Sequence, residues 1–156
     1  MVISEEKIWE LLKEVRDPEL PALDIIEMGI AREIKIESGK VTVVITPTYS
    51  GCPAMFMIET EIRDVLSKNG ITCDVKTTYT PAWTTDWLTE EAREKLRQYG
   101  IAPPGKDIEE IFNKNTKCPF CGSDDTKLVS NFGSTACKSI HYCNSCVQPF
   151  EHFKCI

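Results

Sequence analysis

Eight cysteines in 156 residues offer the most chemistry in this chain, and their spacing sorts them into kinds. Cys118-Pro119-Phe120-Cys121 and Cys143-Asn144-Ser145-Cys146 are two Cys-x-x-Cys knuckles separated by 21 residues, slightly more than is usual in a four-cysteine ribbon. Each knuckle can direct two sulfurs at one ion, and two knuckles close a tetrahedral shell with no open position, which suits a structural metal. Zinc is the expected ion, with iron the chemical alternative because four thiolates accept either. A segment this short has too little core to fold alone, so the metal would supply its folding energy. Cys137 and Cys155 are candidate additional ligands or simply buried thiols, and a second site joining one of them to Cys52 is open if the C-terminal segment folds back.

Cys52 stands apart, between Gly51 and Pro53. Proline is tolerated at the first helical position, where its missing N–H has no partner to lose, so Cys52 is expected at or beside a helix N-cap. A thiol there would feel the positive end of the helix dipole, and its pKa is expected below the ordinary ~8.5. It reads as a nucleophile, a metal ligand, or a small buried hydrophobe. A second polar constellation is Asp17-Pro18-Glu19, two carboxylates on a tight segment; these either serve turn chemistry or give the thiol hard oxygen neighbours. Both histidines, His141 and His152, lie in the C-terminal segment, so a nucleophilic Cys52 lacks a base nearby in sequence.

The elements that must position these residues follow from periodicity. Ile8, Leu11, Leu12 and Val15 recur at helical spacing after Ser4. Around Ser38-Gly39-Lys40, Ile34 and Ile36 on one side and Val41, Val43 and Ile45 on the other alternate as an antiparallel hairpin. A helix from Ala54 to Asn69 buries Met55, Ile58, Ile62 and Val65, with Met55 and Met57 expected as core filling. Ile71 to Thr78 alternates again as a third strand beside the hairpin, with Cys73 facing the core. Trp83 and Trp87 fall in an aperiodic stretch that either seals a sheet edge or docks a partner. A charged helix over about 89–99 precedes the Pro-rich break at 103–104. The fold class expected is α+β: a small mixed or antiparallel sheet of about three strands covered by helices, then a ribbon-like β tail. The expected domains are 1–105 and 116–156, joined by a linker over 106–115.

Composition narrows the class further. No apolar run approaches the ~18 residues of a membrane span, the chain starts on an amphipathic pattern, and a cytoplasmic protein is expected. Residues 1–105 hold 12 Lys+Arg against 18 Asp+Glu, while 106–156 hold six of each, so neither part offers a basic face for nucleic acid. No Glu-x-x-His pairs for a di-iron oxygenase and no Gly-rich nucleotide fingerprint occur. Self-association is left open.

Asp17-Pro18-Glu19, the hairpin leading to Gly51-Cys52-Pro53 and the helix after it resemble the small domain of SufT-like and other cytosolic iron-sulfur assembly factors. The stretch from Pro81 to Trp87, Tyr99 to Pro104, and the tail residues Phe132 to Lys138, Pro149-Phe150 and Phe153 to Cys155 resemble more narrowly the PaaD family, accessory proteins of the phenylacetyl-CoA ring 1,2-epoxidase system of phenylacetate degradation. The resemblance implies an accessory or maturation factor without intrinsic catalysis, whose partners are oxygenase subunits or iron-sulfur assembly proteins. It carries a reactive cysteine onto Cys52, the acidic motif onto Asp17 and Glu19, and zinc ligands onto Cys118, Cys121, Cys143 and Cys146. It also implies transient iron or an iron-sulfur cluster at Cys52. An adaptor that docks oxygenase components through Trp83, Trp87 and the ribbon is the competing expectation.

Overall fold

A computed structural model describes residues 2–49, 51–105 and 116–154. The expected linker 106–115 and Cys155 lie outside them. The chain forms two compact units, Met1–Thr89 and Glu90–Ile156.

In the first unit, Ser4 caps α1 (Glu5–Leu12) by accepting the Lys7 amide at 3.3 Å, and Ile8, Leu11 and Leu12 form its buried face. The helix is shorter than the apolar period suggests, because Val15 is already in the turn leading to Arg16, Asp17 and Pro18. Strands β1 (Ala31–Glu37) and β2 (Lys40–Ile45) pair antiparallel, and β3 (Cys73–Thr77) adds parallel to β2, so the sheet order is β1-β2-β3. Helix α2 (Ala54–Lys68) makes the crossover between the parallel strands. The alternation predicted in β2 is seen directly: Val41, Val43 and Ile45 are fully buried.

The helix fills the core differently from expectation. Its buried face is Ala54, Ile58, Ile62, Val65 and Leu66, which leaves Met57 pointing outward at 59% exposure and Met55 half-buried. Spacing explains this: with Ala54 and Ile58 one turn apart on the inner face, Met57 falls outside that stripe. Cys73 also departs from expectation, being half-buried on the outer strand of the sheet.

The second unit contains α3 (Glu90–Gln98), β4 (Ile101–Ala102), β5 (Thr126–Ser130), β6 (Lys138–Cys143) and β7 (Gln148–Phe153). Three antiparallel strands form the meander β5-β6-β7, and β4 joins β7 in parallel. Through α3 and β4, residues 90–105 therefore belong to the ribbon unit, whereas the sequence groups them with the first module. Ala102, Cys118, Cys143 and Phe150 form a buried cluster there.

The candidate functional site

Two thiol sites result, one in each unit. In the ribbon, the sulfurs of Cys118, Cys121, Cys143 and Cys146 lie within 4.8 Å of one another. Cys118 Sγ is 3.7 Å from Cys146 Sγ, and Cys121 Sγ is 3.6 Å from Cys143 Sγ. A tetrahedral ion with metal–sulfur bonds of ~2.3 Å separates its sulfurs by ~3.8 Å, so the shell fits such an ion. The knuckles are built alike and tied together. The Gly122 amide bonds Cys118 O at 2.9 Å, the Cys146 amide points at Cys143 Sγ at 3.5 Å, and the Ser123 and Ser145 hydroxyls meet at 2.7 Å. Asn144 bonds Asp125 through both backbone and side chain at 2.9 Å.

The residue after each knuckle takes a left-handed backbone conformation. In the first it is Gly122 (φ 75°); in the second it is Val147 (φ 60°), a β-branched residue where strain is expected. The Cys146 amide, opposed by burial, draws Cys143 down to about 7, while burial and the neighbouring thiols push Cys146 up to about 12. A bound ion would take all four sulfurs as thiolates and expel their protons. The extra length between the knuckles forms the loop from Phe132 to Lys138, folded over Glu151: Ser134 Oγ bonds Glu151 Oε2 at 2.9 Å and buried Lys138 reaches it at 3.8 Å. Cys137 is buried on the Thr135 hydroxyl at 3.0 Å and lies outside the four-sulfur cluster.

Cys52 occupies the connection from β2 to α2, beyond the carboxyl end of β2 and of its parallel neighbour β3. That is where open α/β layers commonly bind ligands. A turn sets it there: the Cys52 amide donates to Tyr49 O at 3.3 Å, with Gly51 at φ 78°, a conformation that favours glycine at the third turn position. Pro53 is the cap residue of α2, so Cys52 sits one residue before the cap.

The electrostatics reverse the expected shift. Burial raises the Cys52 pKa above its ordinary value, the Ala54 amide opposes that rise, Glu19 adds to it, a bond from Tyr49 lowers it and Asp17 raises it again. The helix N-terminus does lower the pKa through the Ala54 amide, but half-burial and two carboxylates outweigh it. The structure thus brings Asp17, Glu19 and Cys52 into one electrostatic neighbourhood. Asp17 is 5% exposed and also holds its own loop, Oδ1 accepting the amides of Glu19 at 2.8 Å and Leu20 at 3.2 Å. Tyr49 joins them without any chemical motif to mark it; its position three residues before Cys52, with Gly51 between them, is the turn signal that places it.

Trp83 is 3% exposed, and its indole N–H donates to Met28 O at 2.7 Å. Trp87 is half-buried, with Arg32 3.7 Å above its ring. Both help pack the first unit, and of the two only Trp87 leaves part of its ring exposed.

Comparison with known proteins also finds two parts. Residues 5–76 match the family model described as iron-sulfur cluster assembly protein, and residues 104–154 match the PaaD zinc beta ribbon domain. A putative 1,2-phenylacetyl-CoA epoxidase component of Escherichia coli K12 is 45% identical over 152 residues, 96% of this chain and 92% of that protein. The chain belongs to the PaaD family. PaaD-type architecture is therefore an iron-sulfur assembly module followed by a ribbon. The module alone is 34% identical over 98 residues to an Fe-S protein maturation auxiliary factor of Porphyromonas gingivalis, 60% of this chain and 90% of that one. It also resembles a solved domain of unknown function from Bacillus anthracis, with TM-score 0.56, 27% identity, 59% of this chain and 90% of the other covered. Among the described residues, no helix is long and apolar enough to cross a membrane.

Proposed function

We propose that this chain serves the maturation of a phenylacetyl-CoA epoxidase by holding iron, or an iron-sulfur cluster, transiently at Cys52, with Asp17 and Glu19 beside it. The ribbon holds structural zinc on Cys118, Cys121, Cys143 and Cys146. The observation that carries the reading is the charge around Cys52: Glu19 and Asp17 both oppose a bare thiolate. A nucleophile gains nothing from negative neighbours, since they suppress the reactive form. A ligand that takes up a cation gains from them, because the cation attracts the carboxylates and displaces the thiol proton. One half-buried thiol with oxygen neighbours also holds iron less firmly than four thiolates would, which suits cargo that must leave.

The relatives supply the context: one is named as an epoxidase component and another as an iron-sulfur maturation factor. On this reading the partners are the epoxidase subunits that receive the metal centre, in the cytoplasm, and the chain itself catalyses no bond change in their substrate. The test is phenylacetyl-CoA turnover by epoxidase subunits co-expressed with the parent chain or with Cys52→Ala. The variant is expected to lower turnover and the iron content of the epoxidase at least tenfold at equal protein levels. Equal turnover and equal iron would overturn the proposal.

A further inference from the structure

Phe56 is 78% exposed and Met57 59% exposed in the first turn and a half of α2, immediately after Cys52. With Pro18 they form the apolar floor of a shallow groove of about 270 Å³, completed by Thr60, Glu61 and Asp64. Positions 53, 56, 57, 60, 61 and 64 follow the helical repeat, so this is a second, outward stripe of α2, apolar at the Cys52 end and acidic at the other. The core does not need it, since Ala54, Ile58, Ile62, Val65 and Leu66 already bury the opposite face. The volume falls below the ~300–1,000 Å³ of small-molecule pockets and suits a single large side chain.

We infer that this groove docks a partner polypeptide presenting a large apolar side chain flanked by lysine or arginine. The charge decides the occupant. Residues 1–89 hold fifteen Asp+Glu against nine Lys+Arg, and the groove's own rim is Glu61 and Asp64. A second copy of this chain docked face to face would set those carboxylates against themselves, whereas a basic-flanked segment meets opposite charge at Glu61 and Asp64. Exposed methionine and phenylalanine provide the adaptable and the rigid part of such a contact. Pro18, between Asp17 and Glu19, joins the groove to the Cys52 neighbourhood, so a docked segment would bring its protein to the thiol. What the partner receives rests on the function proposed above; the docking does not.

The probes are three fluorescein-labelled hexapeptides: Lys-Arg-Leu-Phe-Lys-Arg, Glu-Asp-Leu-Phe-Glu-Asp and Lys-Arg-Ser-Ser-Lys-Arg. Polarisation titrations of the full chain are expected to rank the first at least tenfold tighter than either control. Amide shift changes should centre on 19–20 and 54–64. Phe56→Ser with Met57→Ser should lose that binding tenfold or more with an unchanged circular dichroism spectrum, and Glu61→Lys with Asp64→Lys should reverse the preference toward the acidic peptide. Equal binding of the three peptides, shifts elsewhere, or dimerisation abolished by the Phe56 and Met57 changes would each overturn the inference. Iron retention measured in the same samples separates the two claims. Peptide selectivity without iron retention leaves the groove and removes the ligand role of Cys52, and the reverse removes only the groove.

Discussion

Backbone amides are aimed at Cys121 and Cys143 in the ribbon and at Cys52 in the first unit, yet the surroundings of the two sites ask opposite things of a metal. In the ribbon, two knuckles hold four sulfurs within 4.8 Å of one another, so sulfur alone could complete a coordination shell. At Cys52 one sulfur stands with Tyr49 and the carboxylates of Glu19 and Asp17, and half-burial keeps it protonated. The first arrangement suits an ion kept as part of the fold; at the second, on the function proposed above, an incoming cation would have to displace the thiol proton. On that proposal, what separates a structural from a labile site is the number of sulfurs and the charge of the remaining neighbours, not the presence of cysteine.

The contrast breaks most sharply in the ribbon. Cys118→Ser or Cys143→Ser should remove the metal and, with it, the order of the second unit, because structural zinc sites contribute on the order of 10 kcal/mol or more. Amide exchange is expected to collapse across β5 to β7 while β1 to β3 stay protected; retained protection in both units would erase the distinction. Cys52→Ala should do the reverse, shifting stability by less than about 1 kcal/mol while abolishing iron uptake, as urea unfolding and reconstitution would show. Asp17→Ala removes the acceptor for the amides of Glu19 and Leu20 and should destabilise the first unit by about 1–2 kcal/mol.

Smaller effects sharpen the comparison. Val147→Gly relieves the left-handed β-branched residue after the second knuckle and should stabilise the ribbon by about 1 kcal/mol, read from its metal-loaded melting curve. Glu19→Gln should act with opposite signs on two readouts. Removing a negative neighbour lowers the Cys52 pKa, so iodoacetamide alkylation at about pH 7.5 becomes faster, while iron retention falls. A nucleophilic thiol would show only the first change. For the parent, alkylation should keep accelerating as pH rises past the ordinary thiol range, because burial and the carboxylates hold the thiolate back.

Much of this was legible in the sequence. Alternation in 41–45, the helical repeat from 54, and the glycines and prolines that bound them specify β2, α2 and the loop between them through local backbone and packing preferences. Cys-x-x-Cys spacing is equally local, so the four ligands can be read before any fold is known. The parts that escaped depend on distant residues. The Cys52 pKa is raised first by burial that no local pattern reports, and then by Glu19 and Asp17, more than thirty positions away. Trp83 is aperiodic in sequence, yet its indole finds the carbonyl of Met28, 55 residues earlier. Met57 reads as core because methionine is apolar, and only the occupied inner stripe of α2 puts it outside.

The most direct test of the difference between the two thiol sites is a metal count. The parent and Cys52→Ala are reconstituted anaerobically with ferrous iron and sulfide, and zinc and iron per chain are measured before and after a chelator wash. Both proteins should keep one zinc through the wash, and the parent alone should carry iron that the wash removes. Equal iron in the two proteins would contradict the assignment of Cys52 as the labile ligand.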